Sequence, residues 1–267
     1  RDAWILVLDT DGVNVWCAAG KHPFGTDELA RRIESSGLSS LVAHRRLVVP
    51  QLAAPGIAAH RVKKLTGYKV VYGPIRAADL PAFLDAGLKA SPTMRQKTFS
   101  LRERAVLIPV ELAAAVKTGA LILIAATMLD ALLGSTPFPT GVASSVGATA
   151  LALGCAIAAG AILTPLLLPW LPGRAFAVKG LAAGLGNAVL YALLRTQDLQ
   201  AWPDRLDLAA WLLFIPAAAA YLGMNFTGAS TYTSLSGVRK EMRYAVPFEI
   251  GAGVSALGLW LAARLAV

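Results

Sequence analysis

Along the first hundred residues, short apolar runs alternate with amphipathic stretches. Trp4-Ile5-Leu6-Val7-Leu8-Asp9 reads as a buried strand, Leu47-Val48-Val49-Pro50 as a short one, and Lys69-Val70-Val71-Tyr72-Gly73-Pro74 as another. Between them, Thr26 to Gly37 predicts a helix. Thr26 suits an N-cap, Asp27 and Glu28 favour the positive end of the helix, and Gly37 stops it. Gly56 to Gly67 and Ala77 to Gly87 read as two further helices. Strands alternating with helices predict an α/β domain on a parallel sheet, of Rossmann-like type. In such sheets ligands bind beyond the carboxyl ends of the strands. The segment 14–21 follows the first apolar run and is therefore expected at that end.

From residue 105 the period is lost and long Ala/Leu/Gly stretches take over. Five of them reach the length of roughly 20 residues that crosses a bilayer: 108–133, 144–168, 176–194, 206–226 and 245–266. The chain thus divides into an α/β domain at 1–90, a polar linker at 91–104 and an all-α transmembrane domain of five helices at 105–267. Arg102 and Arg104 precede the first span, Arg174 and Lys179 sit before and at the start of the third, and Arg239, Lys240 and Arg243 precede the fifth. The loop from Gly134 to Ser144 has no charge. By the positive-inside rule, the N-terminal domain is expected in the cytoplasm, the chain in the cytoplasmic (inner) membrane as a multi-pass protein, and the C-terminus outside. The third span contains Gly180, Gly184, Gly186 and Asn187, and such glycines let helices pack closely.

Composition narrows the classes. The net charge of +9 suggests nucleic acid at first sight, but topology accounts for the basic residues of the second half and solvated helix faces for Arg31-Arg32 and Lys63-Lys64. No nucleic-acid partner is expected. Cys17 and Cys155 are the two cysteines. Two thiols cannot build a four-thiolate iron–sulfur cluster, and no CxxC zinc pair exists. One thiol falls in the N-terminal domain and the other in an apolar span, so no disulfide is expected and the free thiol suits a reducing compartment. The chain opens on Arg1 without a signal peptide, and is read as starting partway into its first domain.

The chemistry concentrates in Asn14-Val15-Trp16-Cys17-Ala18-Ala19-Gly20-Lys21. Small residues beside Cys17 allow its thiol to approach something flat and large. A P-loop is excluded, because that motif needs Gly at position 15 and Ser or Thr at 22, where the chain has Val15 and His22. No Gly-x-Gly-x-x-Gly dinucleotide loop is present. His22-Pro23-Phe24-Gly25 keeps the end of an Asp-x-His-x-x-Gly corrinoid pattern, but Gly20 stands where the orienting Asp belongs. That leaves His22 a minor rival as a cobalt ligand.

The 14–21 string resembles the cap-helix motif of the HgcA-type mercury-methylating corrinoid proteins, which are related to the corrinoid iron–sulfur protein family. The likeness continues into Phe24-Gly25-Thr26, into Val49-Pro50-Gln51-Leu52 with Ala54-Pro55-Gly56, and into Asn225-Phe226-Thr227-Gly228 through Tyr232-Thr233-Ser234. A corrinoid domain followed by five spans is likewise that family's layout. His22-Pro23 stands where the family has Gly-Thr, and the family's further N-terminal strand and helix are lacking. What the resemblance implies is a corrinoid cofactor (cobalamin-type, with cobalt) bound by Asn14, Val15, Trp16, Cys17, Ala18, Ala19, Gly20 and Lys21. Cys17 would be the catalytic residue, its thiolate the lower axial ligand of cobalt. The activity implied is a methyltransferase passing a methyl group from methylcobalt(III) to Hg(II), giving methylmercury.

Elementary chemistry agrees with the thiolate. Transfer of the methyl as a cation equivalent leaves cobalt(I), which prefers no lower ligand. Transfer as an anion equivalent leaves cobalt(III), which an anionic thiolate stabilises, and Hg(II) is the electrophile that accepts it. Renewed methylation needs cobalt(I), and this chain cannot house a reductant. The resemblance supplies an HgcB-type ferredoxin as electron donor and a folate-linked methyl donor system. Two rival readings remain at this stage: a membrane-anchored corrinoid methyl carrier of one-carbon metabolism, and a membrane transporter or scaffold whose soluble domain binds a partner. Glu111, Lys117 and Glu249 are the ionisable residues singled out within the spans, with Glu111 expected to pair with Lys117 or another span's cation. Cys155 is expected to pack, and the polar loop 228–234 is a candidate for docking on the corrinoid domain.

Overall fold

The computed structural model describes residues 3–10, 15–19, 24–133, 140–195, 199, 201–226 and 235–266; at 16, 17, 140–143, 235 and 236 it describes the backbone alone. The chain divides into two compact units, Arg1–Thr98 and Phe99–Val267.

In the first unit the order is α1 (Val15–Ala18), α2 (Thr26–Ser35), α3 (Leu38–Leu41), β1 (Arg46–Val49), a 3-10 turn at Gln51–Ala53, α4 (Ala59–Thr66), β2 (Lys69–Tyr72) and α5 (Leu80–Asp85). β1 and β2 pair in parallel, from Arg46 opposite Lys69 to Val49 opposite Tyr72, with α4 as the crossover. Leu29 and Ile33, four residues apart on α2, bury completely against Ile57, Val62 and Tyr68. Each such aliphatic side chain contributes about 1.5–3 kcal/mol. α4 ends where Gly67 turns left-handed at φ 78° and its N–H reaches the Lys63 carbonyl, a conformation that costs a side-chain-bearing residue more.

The expected parallel α/β pairing is present, but among the described residues the sheet has two strands, too few to show a Rossmann-like sheet. The difference lies at 3–10. Leu6 and Leu8 pack on the core, as the alternation requires. Trp4, Ile5 and Val7 are 67%, 86% and 72% exposed, however, and the segment joins no ladder. A period-two apolar pattern makes a strand only when a neighbour takes its backbone hydrogen bonds. Thr26 also departs from its expected role: Gly25 holds the N-cap position of α2, and the Thr26 hydroxyl is used elsewhere.

The second unit is helical: α6 (Leu101–Ala105), α7 (Ile108–Leu133), α8 (Thr140–Ile157), a π-helical turn at Ala158–Leu163, α9 (Thr164–Leu166), α10 (Phe176–Leu194), α11 (Trp202–Asn225) and α12 (Leu235–Leu265). Among the described residues, five stretches are long and apolar enough to cross a membrane: Leu101–Leu133, Ser144–Leu166, Phe176–Leu194, Trp202–Asn225 and Gly237–Leu265. α11 packs against both α10 and α12. A Cβ on Gly180 would lie 2.4 Å from the Ala219 carbonyl oxygen, and one on Gly184 would lie 2.6 Å from the Pro216 Cα. These two glycines therefore let the helix backbones touch, as the sequence implies, whereas Gly186 meets nothing within 4 Å. The π turn brings Gly160 to the same stretch, 2.9 Å from the Ala219 oxygen to its would-be Cβ.

Candidate functional site

α1 carries Cys17 in its backbone and lies against the Gln51–Ala53 turn that follows β1. The turn stands beyond the carboxyl end of the parallel pair, the end at which open α/β sheets bind ligands. Val15 is half-buried on the core, and Ala18 and Ala19 are buried in it, 5% and 3% exposed. The i, i+3, i+4 face of this short helix is thereby committed to packing, and small side chains let its backbone come close. The Ala19 N–H closes the turn on the Val15 carbonyl at 2.9 Å. Of the expected site residues, Asn14, Gly20 and Lys21 lie outside the described residues, as do the side chains of Trp16 and Cys17; the rival His22 lies outside them too.

The frame around α1 is built from the other segments that carried the resemblance. The Thr26 hydroxyl donates to the Gly56 carbonyl at 3.1 Å and accepts from the Ala58 N–H at 2.9 Å. Phe24, two residues earlier, is 6% exposed in the same core. The Tyr72 hydroxyl donates to the Ile57 carbonyl at 2.5 Å, and Arg95 donates to Gln51 Oε1 at 2.7 Å. Arg61 pairs with Asp27 at 2.9 Å. At the end of β2, the Gly73 N–H reaches the Val49 carbonyl at 2.8 Å, and a Cβ there would come within 3.0 Å of Val48. Segments 15–19, 24–26 and 49–58 thus form one structure. The loop 228–234 lies outside the described residues.

In the helical unit the linked charges are not those the sequence singled out. Among the described residues neither Glu111 nor Lys117 has an ion-pair partner. Instead, Arg264 near the end of α12 pairs with Asp130 of α7 and, at 3.0 Å, with Asp207 of α11. It also donates to Ser145 Oγ at 3.2 Å and stacks on the Trp260 ring at 4.8 Å. Arg195 closes the group, 4.0 Å from Asp207. The available signal was position: Asp130, Asp207 and Arg264 each sit just inside one end of an apolar span and Arg195 just past another, all at the same end of the bundle. At the opposite end Lys179 donates to the Leu168 and Leu171 carbonyls, both at 2.7 Å, satisfying the groups that end the second span. Cys155 is buried in the helical core, the packing role expected of it.

No family model and no solved structure matches the chain. Among curated proteins it is 33% identical over 82 residues to the acetyl-CoA decarbonylase/synthase complex subunit gamma of Archaeoglobus fulgidus, covering 31% of this chain and 17% of that one. It is 29% identical over 86 residues to the corrinoid/iron-sulfur protein large subunit of Moorella thermoacetica, covering 32% and 19%. The gamma subunit of Methanopyrus kandleri matches at 33% over 84 residues, covering 32% and 18%. The chain spans less than a fifth of the length of these relatives. Over about a third of its own length it is related to the corrinoid iron–sulfur proteins.

Proposed function

We propose that this protein is a membrane-anchored corrinoid methyltransferase that passes a methyl group to Hg(II), with the Cys17 thiolate as the lower axial ligand of cobalt. The observation that carries the reading is the placement of α1. The backbone of Cys17 lies beside the turn that follows β1, and the buried Ala18 and Ala19 leave little bulk around it. The relation to corrinoid proteins supports the cofactor. A corrin ring would bring most of its metal's ligands with it and ask the protein for one donor. When bound, it supplies a cobalt able to carry and release a methyl group. The chain's own part is to present Cys17, to hold α1 rigid through its core face, and to let a flat ring approach through Asn14, Trp16, Gly20 and Lys21.

In this reading the first unit is cytoplasmic, the five helices lie in the cytoplasmic membrane and the C-terminus is outside, in keeping with the basic residues near the spans' cytoplasmic ends. An HgcB-type ferredoxin would serve as the electron donor and a folate-linked system as the methyl donor. The names of the matched relatives favour a second reading, a corrinoid methyl carrier of one-carbon metabolism. Methyl transfer measured side by side to Hg(II) and to an organic thiol separates the two. The proposal expects faster transfer to Hg(II), and a loss in Cys17→Ala of at least about a hundredfold, ~2.7 kcal/mol of transition-state stabilisation. Faster transfer to the thiol decides for the carrier.

A further inference from the structure

Between α10, α11 and α12 lies a cavity of about 980 Å³, within the range of sites that enclose organic ligands. Its walls are apolar, with Leu181 and Leu185 from α10, Leu212 and Leu213 from α11, and Phe248 and Ala252 from α12. Four charged residues also line it: Arg174, Lys240, Glu241 and Glu249. Arg174 immediately precedes α10 and Lys240 stands in the second turn of α12, so both cations belong to the same end of the bundle. Both are exposed, and among the described residues neither has a hydrogen-bonding or ion-pair partner. Glu241 is engaged, since its Oε1 accepts the Ala177 N–H at 2.5 Å and caps α10. Glu249 is not: both of its carboxyl oxygens are shut away from solvent without a hydrogen-bond partner.

Each part of this lining asks for a different chemical group. The Leu and Phe walls ask for a hydrocarbon chain. The two free cations, at the level where a span meets the aqueous boundary, ask for an anion such as phosphate. A phospholipid carries both in this order, phosphate and then acyl chain. We propose that the cavity is a binding site for one phospholipid, its phosphate between Arg174 and Lys240 and an acyl chain along Leu181, Leu185 and Leu213. The site is independent of the chemistry at Cys17.

The test is native mass spectrometry of the full chain in detergent with phosphatidylglycerol added. One lipid per wild-type chain is expected to survive detergent exchange. Occupancy should fall at least tenfold in R174Q/K240Q, which removes the anion's partners. It should fall as well in Leu181→Trp, which keeps both cations and narrows the acyl chain's path past Leu185. Thermal melting supplies a second readout: phosphatidylglycerol should raise the melting temperature of the wild type and of neither variant. Equal occupancy in the wild type and R174Q/K240Q overturns the proposal. So does full occupancy in Leu181→Trp, or displacement of the lipid by inorganic phosphate, which would reduce the site to an anion site.

Discussion

In the first unit the core is filled by large side chains, among them Leu29, Ile33, Ile57, Val62, Tyr68 and Phe83. In the second, the closest contacts are made where side chains are missing, at Gly160, Gly180 and Gly184 against the backbone of α11. The contrast is the one expected of a first unit in water and five long apolar helices in lipid. In water, apolar area removed from contact with water stabilises the fold. In lipid that term nearly vanishes between helices, and close backbone approach together with buried polar links replaces it. The units differ in their charges for the same reason. Glu28, Arg31 and Arg32 form a surface cluster on α2, where ion pairs contribute little. Asp130, Asp207 and Arg264 are enclosed, where an unmatched charge is costly.

Four substitutions probe this contrast, in decreasing order of effect. Gly180→Leu places its Cβ against the Ala219 and Ala220 backbone, which cannot move aside. Loss of the monodisperse helical bundle is expected in size-exclusion and circular dichroism, while Gly186→Ala, in open space, should change stability by no more than about 1 kcal/mol. Arg264→Met leaves Asp130 and Asp207 without their shared cation and should destabilise by about 3–5 kcal/mol. In denaturant titration, D130N/D207N/R264M should recover most of that loss, whereas a triple variant no better than R264M would deny the ion pairs their role. Thr26→Val strands the Gly56 carbonyl and the Ala58 N–H, a cost of about 1–3 kcal/mol. It should appear as faster amide exchange in 24–26 and 56–61 with the helical unit unaffected.

Glu28→Gln is expected to have the smallest effect, and one that depends on pH. The hydrogen bond from Arg31 holds the Glu28 carboxyl below its ordinary value. A depressed carboxylate stabilises the folded state above the unfolded value of about 4.3 and loses that contribution as the pH falls through the folded value. Amide protection in α2 should therefore differ between the wild type and Glu28→Gln at neutral pH and converge in acid. A difference that grows in acid would contradict the assignment.

What the sequence could reveal tracks the range of the interactions. Helix 176–194 was readable to the residue, because a long apolar stretch of this length announces itself by its own composition. The strands expected at 47–50 and 69–74 are found at 46–49 and 69–72, because local β-propensity and the flanking turns agree. The segment 4–9 was not, since its pattern is that of a strand and only a hydrogen-bonding neighbour could make it one. The link from Arg264 to Asp130 joins residues 134 apart in the chain, and no local period announces it. For the site, the small residues beside Cys17 were legible from their identities. The stitching of Thr26 to Gly56 and Ala58, which holds the frame of α1 together, is a tertiary contact that the N-cap reading of Thr26 concealed.

The central claim is the bond between Cys17 and cobalt. It is tested most directly by the absorption spectrum of the full chain reconstituted with a corrinoid, recorded for the wild type and for Cys17→Ala. The account predicts a cobalt–thiolate spectrum in the wild type that is lost in Cys17→Ala while the corrinoid stays bound. Identical spectra in the two proteins would contradict it.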